Sequence, residues 1–277
     1  EGDGCSGLCR EETTTSTPTP EAMTLVSGGP FIWGCNGMDI NASDYHVSCN
    51  KGTYTASEIY LPPFFIDTHE VTTGEYRSCI EAGECSASLD VCPLGNDCWE
   101  IPDSISDNTP VTARTRDEAR AFCTWQNKRL PESLEWEKAA RGTDGRFYPW
   151  GSQTPTCDVA QGYGCGDVLS TTVTLDISPY GAYHMGGNLK EWVNDEHEIL
   201  GDDGFVGSSN LETYDKEIRG GSIGIDDEGT IIFLDEPEFG EVSTVYRKWI
   251  RANSPWGVRS VRRVTGFRCV VSADETN

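Results

Sequence analysis

Between Thr115 and Trp150 the chain reads TRDEARAFCTWQNKRLPESLEWEKAARGTDGRFYPW, and the remaining segments are organised around this stretch. Thr115 is a good N-cap and Glu118 stands three residues on, so the pair forms a capping box that starts a helix. Ala119, Phe122, Cys123 and Gln126 then share one face, as an amphipathic helix requires. Pro131 can open a second helix, because the N–H it lacks would have no partner in the first turn. Leu134, Ala139 and Ala140 mark the buried side of that helix, with Trp136 at its flank. Gly142 follows where a C-terminal cap belongs. The stretch is thus two consecutive helices and a stop.

The same stretch closely resembles the formylglycine-generating enzyme (sulfatase-modifying factor) family. Other segments do so in the family's order: Phe65–Tyr76 (FIDTHEVTTGEY), Gly186–Trp192 (GGNLKEW), and Arg219–Ser222 (RGGS) with Gly266–Cys269 (GFRC). The resemblance covers roughly residues 24–271. It implies an α+β fold, a C-type-lectin-like variant of the formylglycine-generating enzyme type, loop-rich and stapled by disulfides. That domain is expected over residues 23–277, after a separate Thr/Pro-rich arm at residues 1–22.

Composition agrees with one large domain: 277 residues can bury a real core, and 30 glycines with 14 prolines suit long loops. The net charge of −24 argues against unaided binding to nucleic acid or an anionic membrane, and suits divalent cations, a basic partner or simple solubility. No run of eighteen apolar residues exists, so no membrane-spanning helix is expected. Twelve cysteines, with no CxxC or Cys/His zinc spacing, point to an oxidising compartment. Lacking an initiator Met and a signal peptide, the sequence reads as a processed, exported product, secreted or at the cell surface. Close pairs suggest local bridges at Cys5/Cys9, Cys35/Cys49, Cys79/Cys85, Cys92/Cys98 and Cys157/Cys165, although spacing does not fix connectivity. The family commonly joins the positions of Cys123 and Cys269, which implies a bridge from the central helix to the last strand. Such a bridge contributes about 4 to 5 kcal/mol in the chain-entropy model.

Along the chain, Glu11–Pro20 has no large apolar residue and reads as a tether, or as a strand added to its own or a neighbouring domain. MTLVSGGPFIWGC resembles the family's opening strand and hairpin. Asn41-Ala42-Ser43 is a glycosylation sequon. YLPPFFIDTHEVT is a β-rich run with Pro62 and Pro63 at its edge, and Thr73–Ala82 reads as a short helix. Thr171–Leu175 and Thr230–Leu234 read as strands, the second amid acidic residues. From Tyr246 to Arg268 the sign flips to basic.

The family's enzymes oxidise a substrate cysteine with a copper ion held by two thiolates, and soft Cu(I) requires those sulfurs. The resemblance puts them after RGGS, near Ile225 and Thr230, yet no cysteine lies between Cys165 and Cys269. Arg219, Gly220, Gly221 and Ser222 therefore read as a vestigial frame, and copper is not expected. The four histidines, His46, His69, His184 and His197, form no iron-binding cluster either. Calcium is the ion the resemblance supports. Its loop matches Ala182–Glu191, with Glu191 giving a side-chain oxygen and Gly187 and Leu189 giving carbonyls. The family often has Asn where His184 stands, and imidazole is a poor calcium ligand. A second site would use Asp158 and the carbonyl of Val159, with Asp176 or Asp167. A structural turn with a buried Trp192 would need no metal.

The expected protein is thus a non-enzymatic, exported structural or binding module. Its partner is itself, through the arm as a homo-oligomer or filament, or another extracellular protein. The alternatives are a metal-dependent oxidoreductase with an altered site, in a cleft lined by Ser222, Trp192 and the Ile223–Lys248 segment, and a glycan- or peptide-binding surface module.

Overall fold

A computed structural model describes residues 22–34, 56–88, 101, 103–165, 175–198, 214–221, 233–238, 247–251 and 265–275. The described strands are β1 (Met23–Val26), β2 (Gly29–Trp33), β3 (Ser57–Leu61), β4 (Phe64–Asp67), β5 (Tyr163–Cys165), β6 (Lys190–Glu198), β7 (Tyr214–Arg219), β8 (Phe233–Glu238), β9 (Arg247–Arg251), β10 (Thr265–Gly266) and β11 (Val270–Ser272). Three helices, α1 (Thr73–Glu81), α2 (Arg116–Trp125) and α3 (Ser133–Arg141), complete an α+β architecture. None is long and apolar enough to cross a membrane.

The beginning and end of the described chain meet on one strand. β4 is flanked by β1 and β11, both antiparallel to it. Its sequence, FFID, is buried throughout, as befits a short apolar run at the centre of a sheet. Asp67 tolerates that position because its carboxylate accepts Lys128 Nζ at 2.7 Å and the Cys269 amide at 2.8 Å. The expected opening hairpin does not form. β1 pairs with β4, whereas β2 pairs with β3. The chain turns between the two sheets at Gly28, where a Cβ would lie 2.8 Å from Pro63 Cδ.

Both helix starts marked by Thr–x–x–Glu are capping boxes: Thr72 with Glu75 on α1 and Thr115 with Glu118 on α2. At α3 the expectation needs correction. Glu132, not Pro131, adjoins the first turn, and it forms a capping box with Glu135. Pro131 lies before the cap and accepts the Asn194 amide at 2.8 Å. Trp136 is fully buried rather than at a flank, because β2, β6 and β7 all pack on α3. Gly142 ends the helix at φ +74°, a backbone conformation that favours glycine.

The second sheet runs β10-β6-β7-β9, with β10 parallel to β6. One core group joins Val71, Tyr76, Phe122, Leu130, Trp192 and Phe267 around the Cys123–Cys269 disulfide. The other joins Val26, Phe64, Ile66, Trp136, Ala140, Met185 and Val193. Cys79–Cys85 and Cys157–Cys165 are also bridged, as their spacing suggested. The arm, the sequon, the remaining six cysteines, Asp167, residues 171–174, Ser222 and residues 230–232 lie outside the described residues. β8 begins at Phe233, inside the expected Thr230–Leu234 run.

Candidate functional site

Arg219 closes β7 and is fully buried. Its guanidinium stacks 5.0 Å over the Trp136 ring and donates from Nη2 to Glu137 Oε2 at 2.7 Å. Glu137 also accepts the Gly34 amide at 2.7 Å and Arg141 Nη1 at 3.1 Å. Gly220 follows at φ +74°, and a Cβ there would approach Trp136 Cζ2 to 3.3 Å. Gly221 then donates to Gly186 O at 2.9 Å. The three described residues of the RGGS frame therefore clip β7 to α3 and to the Ala182–Glu191 loop. Among the described residues no thiolate accompanies them: each described cysteine is in a disulfide, and the sequence from 222 to 268 contains none. The residues present do not fit Cu(I).

The Ala182–Glu191 loop is the densest polar site among the described residues. His184 and Asn188 both take positive φ, +58° and +67°. Both reach Glu70: His184 Nδ1 lies 3.1 Å from Oε2 and Asn188 Nδ2 donates to Oε1 at 2.9 Å. Burial alone would push Glu70 up, but His184 and Arg268 outweigh it and hold it below the usual carboxylate range. Burial likewise pushes His184 down, and Glu70 with Asp176 more than reverses this, so its pKa is raised. Asp176 accepts the Gly186 amide at 2.9 and 3.2 Å and the Gly187 amide at 2.8 Å, and burial pushes it up to about 6. Glu191 is gripped by Arg268, at 2.6 to 3.0 Å, and by Trp136 Nε1 at 2.8 Å.

The expected calcium ligands are thus brought into one region only in part. Of the first expected site, His184, Gly187, Leu189 and Glu191 share one segment; of the second, Asp176 accepts amides of that segment, Asp158 is exposed, Val159 is buried with its amide on Thr156 O, and Asp167 lies outside the described residues. The carboxylates of Glu191 and Asp176 face N–H donors, and no group of three His, Cys, Asp or Glu among the described residues is arranged to hold a metal ion. Sequence reasoning missed Glu70, Glu137 and Arg268 as site residues. Each acts through partners 77 to 201 positions away, which no local pattern reveals, apart from Glu137's contact with Arg141 one turn on.

The buried RGG clip, the capped helix pair and the disulfide from α2 to the last strand belong to an α+β domain of the sulfatase-modifying factor type. A family model, the sulfatase-modifying factor enzyme 1-like domain, matches residues 10–273, and the chain belongs to that family. It is 38% identical over 223 residues to the formylglycine-generating enzyme of Thermomonospora curvata, covering 63% of this chain and 71% of that protein. It is 34% identical over 243 residues to the inactive C-alpha-formylglycine-generating enzyme 2 of Bos taurus, covering 70% and 77%. Similarity to the hercynine oxygenase of Mycolicibacterium smegmatis is 29% over 198 residues, covering 61% of this chain and 44% of that protein. The chain likewise spans only 42% of the Bacillus subtilis protein YfmG, to which it is 29% identical over 212 residues and 64% of its own length. Among solved structures, PvdO from Pseudomonas aeruginosa shares the fold, with a TM-score of 0.63 over 90% of this chain and 93% of that one at 20% identity.

Proposed function

We propose that this chain is a non-enzymatic, exported binding or structural domain of the formylglycine-generating enzyme family. One observation carries the reading: the sequence after Arg219-Gly220-Gly221 contains no cysteine before Cys269, and Cys269 is committed to a disulfide. Without sulfur there is no Cu(I) site, and without Cu(I) the family's oxidation of a substrate cysteine has no electron-transfer centre. The similarity to a mammalian relative that is itself named inactive supports this reading. So do the three disulfides among the described residues, which favour an oxidising, extracytoplasmic setting. We further read the fold as the C-type-lectin-like variant, in which stapled loops vary on a fixed frame and present a binding surface.

The test is direct. The purified chain is incubated with Cu(I), dioxygen and a cysteine-containing peptide, and the peptide is analysed by mass spectrometry. No conversion of cysteine to formylglycine is expected; turnover above a no-protein control would sink the proposal. The relationship to hercynine oxygenase favours a second reading, a metal-dependent oxidoreductase with an altered site. Stoichiometric iron or another redox metal in the native protein would select it. Assembly through the residue 1–22 arm is tested separately, by sedimentation of the full chain against one lacking the arm. Equal particle sizes would remove that element.

A further inference from the structure

We infer that the Ala182–Glu191 loop is held by a cation built into the chain, the Arg268 guanidinium, and that it keeps its conformation without calcium. This holds whether or not the domain is an enzyme. Arg268 is fully buried. Its Nε donates to both oxygens of Glu191, at 3.0 and 2.8 Å, and its Nη2 to Oε1 at 2.6 Å. Trp136 Nε1 takes Oε2 at 2.8 Å, so three nitrogens surround the one carboxylate that calcium would need in this loop. The remaining guanidinium donors reach backbone carbonyls, Asp67 O at 3.1 Å and Tyr183 O at 2.8 Å. One side chain thereby joins the end of β4, the loop and the start of β6. Glu70 lies 3.9 Å away and balances it further.

A calcium ion on a Glu191 oxygen, at the usual 2.3 to 2.6 Å or so, would stand within about 5 Å of this guanidinium in a water-poor site, where like charges repel strongly. The rest of the loop has its own supports. Asp176 receives the Gly186 and Gly187 amides. Asn188 donates its amide to Gln161 O at 2.8 Å, and Gly187 sits so close that a Cβ would be 2.3 Å from that oxygen. The position where the resemblance implies an asparagine oxygen holds His184, whose Nδ1 is engaged by Glu70. The Glu191 carboxylate and the His184 ring, the two side chains that a bound cation would engage in this loop, are therefore already held by partners within the chain.

Thermal unfolding of the full chain, with chelator and then with rising calcium against a magnesium control, tests this. The expected melting temperature is the same in both within about 1 °C, because an ion that does not bind the native state adds no stability. A saturable rise of more than about 3 °C that Glu191→Gln abolishes would overturn the inference. A rise that survives Glu191→Gln comes from another site and supports it. The pairing itself is read from a double-mutant cycle. Arg268→Met, which strands Glu191, should melt lower than the charge-neutral Arg268→Met/Glu191→Gln variant. Equal melting of the two would refute Arg268 as the counter-ion. Where a variant does not fold, the wild-type calcium titration still decides.

Discussion

Glu137 sits fully buried between two arginines, Arg219 at 2.7 Å and Arg141 at 3.1 Å, and also accepts the Gly34 amide. Removing its charge would take a buried counter-ion from two guanidinium groups that keep other partners, and losing one member of a buried pair costs up to about 3 to 5 kcal/mol. Glu137→Gln should therefore lower the urea midpoint sharply with little change in slope, and a shift under about 1 kcal/mol would contradict the role assigned to it. This residue was not legible as a site. In EWEKAAR it reads as one polar position of an amphipathic helix, and its partner Arg219 lies 82 positions on. His184 was legible as a departure from the family pattern, but its partner Glu70 was not, being 114 positions earlier. Motifs expose which residues are unusual; only the fold brings their partners beside them.

The helices illustrate the opposite case, since their ends are written locally. Thr115 and Glu118 exchange hydrogen bonds as the spacing requires, and Thr115→Ala should cost about 1 kcal/mol, read as a small drop in melting temperature. The start of α3 is less local, because Asp195 from β6 accepts the Ser133 amide. Burial pushes Asp195 up to about 6; the Ser133 bond opposes this, and neighbouring Glu217 and Glu132 reinforce it. A carboxyl raised in the folded state binds its proton more tightly there than in the unfolded chain. Its contribution is complete below the ordinary value of 3.8 and is lost as pH rises to about 6. For a carboxyl still partly in water the amount is about 1 kcal/mol after screening. Asp195→Asn should flatten the melting temperature between roughly pH 4 and 6, and an unchanged slope would show that other groups set it.

Across the whole molecule, the order of the motifs carried the family and the α+β class, because those motifs coincide with contact points of the frame: capped helices, the RGG clip and the GFRC strand entry. Strand pairing was not legible. β1 and β2 are separated by two residues yet belong to different sheets, and at the turn between them Gly28 lies against Pro63. The pairing of Cys123 with Cys269 followed from the resemblance and is present, 146 positions apart. Replacing both with serine should cost up to about 4 to 5 kcal/mol in the entropy model, and a loss below about 1 kcal/mol would mean the unfolded chain is already constrained there.

That bridge also makes a lariat of the polypeptide. α3 and every strand from β5 to β10 lie on its closed loop. A protease that cuts one bond between Cys123 and Cys269 therefore releases nothing: the two pieces stay joined through sulfur, run as one band without a reducing agent, and part only when a thiol is added. A domain built this way can be nicked between Cys123 and Cys269 and remain a single molecule.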